Sequence, residues 1–285
     1  MKTLHNLVSN SLSFYRTEHY FEYYAEFNTI QQFCEYVDFA KTANRKIYIL
    51  GNGSNTFFLK RRVRSLVLKN KLKPDIVPIS TSDSGARIRA TSSTLVIDVL
   101  KYCFENSLDS FYYLASVPAT IGGALAMNAG RGQKFNLTIY DFVESVDFFD
   151  CAQNCIITLG TEDIVRGYRE TIFSGVQSLL ITSAIFNFPV ASLSKNPIAE
   201  RCKWSKANQD YTGSNCGSVF KQADAKILES LKGLRVGESS FSAKTSNWIV
   251  NKSSHPFSII FLIYIAQIIH FIKRKKSQLE IIVVR

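Results

Sequence analysis

The chain has 285 residues, room for two domains, and 46% hydrophobic with 20% charged residues excludes a disordered polymer. Its formal charge of +11, from 34 Lys and Arg against 23 Asp and Glu, fits a polyanionic partner: nucleic acid, an acidic membrane or a phosphorylated small molecule. Ten basic residues (Lys41, Arg45, Lys46, Lys60, Arg61, Arg62, Arg64, Lys69, Lys71, Lys73) lie between positions 41 and 73 with no acidic one among them, so nearly all the net charge sits there.

In chain order, Thr29 to Ala43 places Ile30, Phe33, Cys34, Val37 and Ala40 at helical spacing behind Thr29 as a cap. Lys46 to Leu50 reads as a short buried strand running into Gly51-Asn52-Gly53-Ser54-Asn55, and Ser65 to Leu68 as a second. Ala86 to Ala90 is β-like and Leu95 to Asn106 helical, followed by a small-residue segment, Ala115 to Gly132. Strands are expected at Phe142–Phe149, Cys155–Leu159 and Ser178–Phe188. Pro189 to Asp210 is polar without clear periodicity, and a domain boundary is placed near it. Phe257 to Ile272 is uncharged over sixteen residues and is followed by Lys273-Arg274-Lys275-Lys276, which reads as a buried helix too short to span a bilayer. LEIIVV then returns to a sheet. Helices and strands without a regular βαβ rhythm argue an α+β fold.

The six cysteines include no CxxC pair, Cys151 and Cys155 have no companion pair, and the four histidines are isolated; no metal site is expected. Reduced thiols and an N-terminus without the apolar core of a signal peptide point to a cytoplasmic protein.

Four segments carry chemistry. Strand Ile47–Leu50 ends in Gly51 and Gly53, where backbone N–H groups can converge on an anion with Ser54 and Asn55 beside them. A hairpin turn containing Asn-Gly explains the same residues, and the pattern is not GxGxxG. Ala115 to Gly130 is nearly all small side chains and allows close backbone approach to a flat ligand; a tightly packed turn and helix start is the other reading. Gly167-Tyr168-Arg169 and Cys216-Gly217-Ser218-Val219-Phe220-Lys221 offer a guanidinium and a hydroxyl beside a lysine, with no nearby His to signal a serine hydrolase.

In order and spacing these segments resemble the UDP-N-acetylenolpyruvoylglucosamine reductase family. The pattern LGxGSN is matched at Leu50 to Asn55, and aGIPGTvGGAxxxNaG at Pro118, Thr120, Gly122, Gly123, Ala124, Asn128, Ala129 and Gly130. GYRxSxF is matched at Gly167, Tyr168, Arg169 and Phe173, and aGSxFKnP at Gly217, Ser218, Phe220 and Lys221. A fifth pattern is similar to Leu231-Lys232-Gly233, Gly237, Ser242 and Asn247 to Asn251.

The resemblance implies a two-lobed FAD-binding domain of the vanillyl-alcohol-oxidase (PCMH) type over residues 1–195, with lobes of about 1–72 and 73–195. A smaller α+β substrate domain follows at 196–285. It implies FAD-dependent reduction of the enolpyruvyl nucleotide sugar with NADPH, a step of peptidoglycan precursor synthesis, in a monomer without nucleic-acid or membrane attachment. Carried over by position, Gly51, Asn52, Gly53, Ser54, Asn55, Pro118, Gly122, Gly123 and Asn128 would hold FAD. Arg169 would hold the substrate carboxylate and Ser218 would donate a proton, while Tyr168, Lys221 and Asn247 would contact the nucleotide sugar. The family's C-terminal glutamate falls on Glu280 if the strand is aligned with a two-residue deletion, or on Ile282 if Leu279 is aligned; Glu280 is preferred. The short connection after Arg169 resembles the subgroup without a substrate-capping insertion.

Ser116 and Ala119 stand where the family has glycine, Gln222-Ala223 replaces Asn-Pro, and Thr245-Ser246 replaces His-Ala. These departures leave open a flavin-binding paralogue of the same fold with reduced, lost or altered activity. A third reading, a basic nucleic-acid or membrane-surface protein, rests on residues 41–73 and 257–272.

Overall fold

The computed structural model describes residues 4–285. Thr29 caps the first helix, α1 (Ile30–Thr42), its hydroxyl accepting from the Gln32 amide, and Phe33, Tyr36, Val37 and Ala40 turn inward. The chain then forms the short strand Ile47–Leu50, the glycine loop, and the strands Thr56–Phe58 and Arg62–Asn70. Helices α2 (Val96–Glu105) and α3 (Ile121–Ala126) follow, then α4 (Thr161–Ile164).

Two compact units result. The first takes Ala25–Asn52 and Val67–Trp204, the second Leu4–Tyr24, Gly53–Leu66 and Ser205–Arg285. The strands His19–Phe27 and Arg62–Asn70 each pass from one unit into the other along the chain.

In the first unit five antiparallel strands run in the order Cys155–Gly160, Val143–Asp150, Leu179–Pro189, Gly85–Thr91, Ile76–Ser82. Their register sets Val146 opposite Ala184 and Ala184 opposite Ala90, so one face is continuously apolar. Against it lie Val96, Val99 and Leu100 of α2 and Ile121, Ala124 and Leu125 of α3. Phe186 and Phe188 stack there, with Phe111 tilted against both.

The second unit is built on smaller sheets. Arg235–Val236, Ser239–Phe241 and Ile249–Asn251 form an antiparallel trio, and Thr56–Phe58 runs parallel to Ile282–Val284. Helices α6 (Ala225–Ser230) and α7 (Phe257–Ile272) close a core of Phe57, Val219, Phe220, Leu228, Phe241, Ile249, Ile259 and Leu262. His270 of α7 is fully buried but satisfied: Nδ1 donates to Ala266 O and Nε2 accepts the Asp224 amide.

Two readings of the sequence need correction. The aperiodic stretch 189–210 contains a helix, α5 (Pro197–Asn208); of its residues only Ser205 is buried, so it leaves no apolar period. The expected buried helix 257–272 does form, yet only one of its faces is covered. Of the cysteines, Cys103 and Cys216 are buried, and burial pushes both thiols up to about 12, whereas Cys155 is exposed.

Candidate active site

Gly51 and Asn52, which open the glycine loop, meet the small-residue segment in the first unit. Asn52 Nδ2 donates to Pro118 O at 2.8 Å, and a Cβ on Gly51 would lie 2.8 Å from Thr120 Oγ1 and 3.8 Å from Gly123 Cα. Thr120 caps α3, accepting the Gly123 amide at 3.2 Å. Lys69 Nζ donates to Gly51 O; burial pulls its pKa down, and Lys71 adds to the effect. Lys69 lies within the basic block, and nothing in a run of like charges singles it out. Arg61, Arg62 and Arg64 of the same block pair with Glu18 and Glu22 in the second unit.

The glycines are not equivalent. At Gly53, φ is +75° and a Cβ would sit 2.2 Å from Leu12 O, so the fold itself requires glycine. A Cβ on Gly122 would meet Ser92 Cβ at 2.8 Å, and the Gly122 amide already donates to Ser92 O. Gly123 differs: an added Cβ would find only Thr120 Oγ1, at 3.2 Å. Ser116 and Ala119 tolerate their Cβ atoms because neither has a positive φ, and Ala119 packs into the core.

FAD is the group this arrangement has to fit. Among the described residues the backbone N–H groups of Asn52, Gly53 and Ser54 have no acceptor, a run of donors suited to phosphate oxygens. Asn128 is buried at φ +47°; its Nδ2 donates to Gly167 O, while its Oδ1 has no partner and is placed to accept from a ligand. Amide donors for phosphate oxygens and an unpaired amide oxygen are each groups that a flavin dinucleotide can use.

Arg169 also belongs to the first unit. Its Nη1 donates to Asn128 O and its Nη2 to Gly130 O, both at 2.8 Å, and its guanidinium lies 5.0 Å from the Tyr168 ring centre.

Ser218, Lys221, Asn247, Glu280 and Asn55 lie in the second unit. Ser218 is half-buried after Gly217 and bridges to Trp248. Val219 N donates to Asn247 O at 2.8 Å, and the Asn247 side chain grips Phe220, accepting from its N at 2.9 Å and donating to its O at 2.7 Å. Glu280 N donates to Val219 O at 2.8 Å, and Asn55 Nδ2 donates to Glu280 O at 2.9 Å. Glu280 thus follows directly on the strand Gln278–Leu279, which pairs with Phe220–Gln222; Ile282 pairs with Thr56 and is 42% exposed.

Residues 21–160 match the FAD binding domain family. A UDP-N-acetylenolpyruvoylglucosamine reductase of Clostridium kluyveri is 30% identical over 233 residues, covering 78% of this chain and 73% of that protein. The chain belongs to the UDP-N-acetylenolpyruvoylglucosamine reductase family. The Aquifex aeolicus reductase is 29% identical over 255 residues, 86% of this chain and 82% of the relative. The crystal structure of the Thermus caldophilus reductase covers 99% of both chains with a TM-score of 0.73 at 19% identity, a likeness of fold. The fold class is thus α+β with an FAD-binding domain of the vanillyl-alcohol-oxidase type.

Proposed function

We propose that this protein reduces UDP-N-acetylenolpyruvoylglucosamine to UDP-N-acetylmuramate, with FAD bound and NADPH as hydride donor. The observation that carries the reading is the bond from Glu280 N to Val219 O, which supports a proton-donor site drawing a hydroxyl and a carboxyl from neighbouring segments of the chain. In this reading residues 1–195 hold FAD in two lobes, 1–72 and 73–195, and residues 196–285 take the nucleotide sugar.

FAD, when bound, would supply the hydride-transfer chemistry that links NADPH to the methylene carbon of the enolpyruvyl ether. Ser218 Oγ gives a proton to the adjacent carbon. So weak an acid serves only because the enolate it meets is strongly basic and the hydroxyl is held in position. Arg169 holds the substrate carboxylate and stabilises the enolate, its plane fixed by Asn128 O and Gly130 O. Glu280 is the C-terminal acid. Tyr168 and Lys221 contact the nucleotide sugar, and Asn247 positions Lys221 by gripping Phe220. The amides of residues 52–54 would hold the pyrophosphate, and Gly51, Asn55, Pro118, Gly122, Gly123 and Asn128 would also contact the cofactor.

The purified protein is expected to be yellow and to oxidise NADPH only when the enolpyruvyl nucleotide sugar is present. A colourless protein that FAD cannot reconstitute overturns the reading. Bound flavin without substrate-dependent turnover would instead favour a paralogue of altered activity.

A further inference from the structure

Helix α7 has two broad apolar sides, parted by Ser258 and Gln267, yet only one of them is covered. Successive helical residues advance by about 100°. That puts Ile259, Leu262, Ile263, Ala266 and His270 on one side, and all five are buried. On the opposite side Phe257, Phe261, Tyr264, Ile268, Phe271 and Ile272 form a stripe, with exposures from 48% at Phe261 to 83% at Phe271. At about 1.5 Å per residue the stripe is roughly 24 Å long. Single exposed apolar residues are ordinary; six aligned on one helix face are not.

The stripe ends in charge of one sign. Lys273, Arg274, Lys275 and Lys276 are all exposed, and no Asp or Glu occurs from Lys252 to Leu279. Lys275 reaches Asp224 at 3.6 Å; among the described residues the other three have no carboxylate at ion-pair distance.

We propose that this stripe and its basic end seat the protein on an anionic lipid bilayer, with α7 lying in the plane of the interface. Aromatic and aliphatic side chains on one helix face enter the headgroup–acyl boundary, and adjacent lysines and arginines are drawn to anionic headgroups. Here the rest of the second unit replaces the polar face that a free amphipathic helix would carry. Among the described residues no helix is long and apolar enough to cross a membrane, which agrees with attachment in the plane. A second copy of the chain is the weaker occupant, because it would bring four more cations and no acidic residue from this segment to oppose them. The proposal does not depend on the reductase reading.

Sedimentation of the full chain with phosphatidylglycerol–phosphatidylcholine vesicles, against pure phosphatidylcholine, tests it. Binding to the anionic vesicles is expected. It should weaken on the order of tenfold in Phe261→Glu/Ile268→Glu, and by a similar factor in Lys273→Gln/Arg274→Gln/Lys276→Gln. Flavin content and turnover should match the parent in both variants. Should the glutamate variant not fold, Phe261→Trp supplies the readout: its emission should shift to the blue with anionic vesicles and stay unchanged with neutral ones. Three results overturn the proposal. One is no binding at low salt. Another is binding untouched by the stripe substitutions, which leaves the charge of residues 41–73 as its cause. The last is a stable dimer that Phe261→Glu dissociates and vesicles leave intact.

Discussion

Around Gly51, Asn52 and Gly123 the groups proposed to meet the cofactor belong to the backbone, and side chains hold the loops together: Asn52 on Pro118, Lys69 on Gly51, Thr120 on Gly123. Around Ser218 the holding is shared. Backbone bonds fix Val219 to Asn247 and Glu280, the side chains of Asn247 and Asn55 fix Phe220 and Glu280, and the proposed chemistry falls to side chains: a hydroxyl, a carboxyl and an ammonium. A backbone site is lost when shape is lost, so substitutions in it register first as cofactor loading or folding. A side-chain site can lose its chemistry while shape and loading persist. The two regions should therefore fail in different assays.

Ser218→Ala gives the largest expected separation. Losing a positioned proton donor costs on the order of a thousandfold in turnover, about 4 kcal/mol of barrier. Flavin absorbance and NADPH-driven bleaching should remain as in the parent, because the segment is fixed by Val219 and Phe220 and not by the hydroxyl. Stopped-flow measurement of the two half-reactions checks this. Equal loss in both halves would break the contrast between the regions.

Gly53→Ala is the counterpart in the loop. Its Cβ would lie 2.2 Å from Leu12 O at a φ of +75°, so the loop has to shift, at a cost of about 3 kcal/mol or more. A fall in Tm together with a fall in the flavin-to-protein ratio is expected. Full flavin loading at unchanged Tm would show that the loop is softer than its packing implies.

How far the sequence revealed this design depended on whether a residue acts through its own type. The helix from Thr29, the strand into Gly51 and the small-residue segment were legible because caps, alternation and glycines are local signals. The strand His19–Phe27 escaped notice: HYFEYYAEF is buried on parts of both faces, and its Tyr and Glu residues blur the alternation. Helix α5 escaped because it is polar all round. Within the site, the glycine pattern was visible but could not say which glycines the fold needs and which face open space. That distinction depends on Leu12, Ser92 and Thr120, all remote in sequence from at least one of their glycines. The C-terminal acid is ambiguous in the sequence because an apolar strand tolerates sliding; in the fold the strand pairs with Thr56–Phe58 and Glu280 N bonds Val219 O.

Acid should act on the second unit through Asp210. Its carboxylate accepts from Ser242 Oγ at 2.6 Å, Thr212 Oγ1 at 2.7 Å and Thr212 N at 3.0 Å. Burial pushes its pKa upward, but these bonds, with help from Lys244, outweigh burial and hold it below the usual carboxylate value. A depressed pKa means that the stabilisation is present above the unfolded value, about 3.9, and is lost as pH falls through the folded one. Asp210→Asn should lower stability by about 2 kcal/mol at neutral pH and flatten the acid limb of the Tm-against-pH curve. An acid limb identical to the parent's would remove Asp210 as its source.

Gly123→Ala is expected to have the smallest effect on stability and to discriminate most finely between the regions. Its Cβ would meet only Thr120 Oγ1, at 3.2 Å, a contact the hydroxyl can relieve by a few tenths of an ångström, and alanine suits a short helix better than glycine. The net change in folding stability should stay within about 0.5 kcal/mol. Cofactor affinity should respond more strongly, because a methyl group projecting into the space beside the Gly51 loop displaces a ligand that approaches the backbone there. Calorimetry of FAD binding to the apoprotein, set beside the Tm, separates the two quantities. Weakened FAD binding at constant Tm is the signature of a backbone-made site; unchanged affinity would move the cofactor away from Gly123 and leave Asn128 and the 52–54 amides as its determinants.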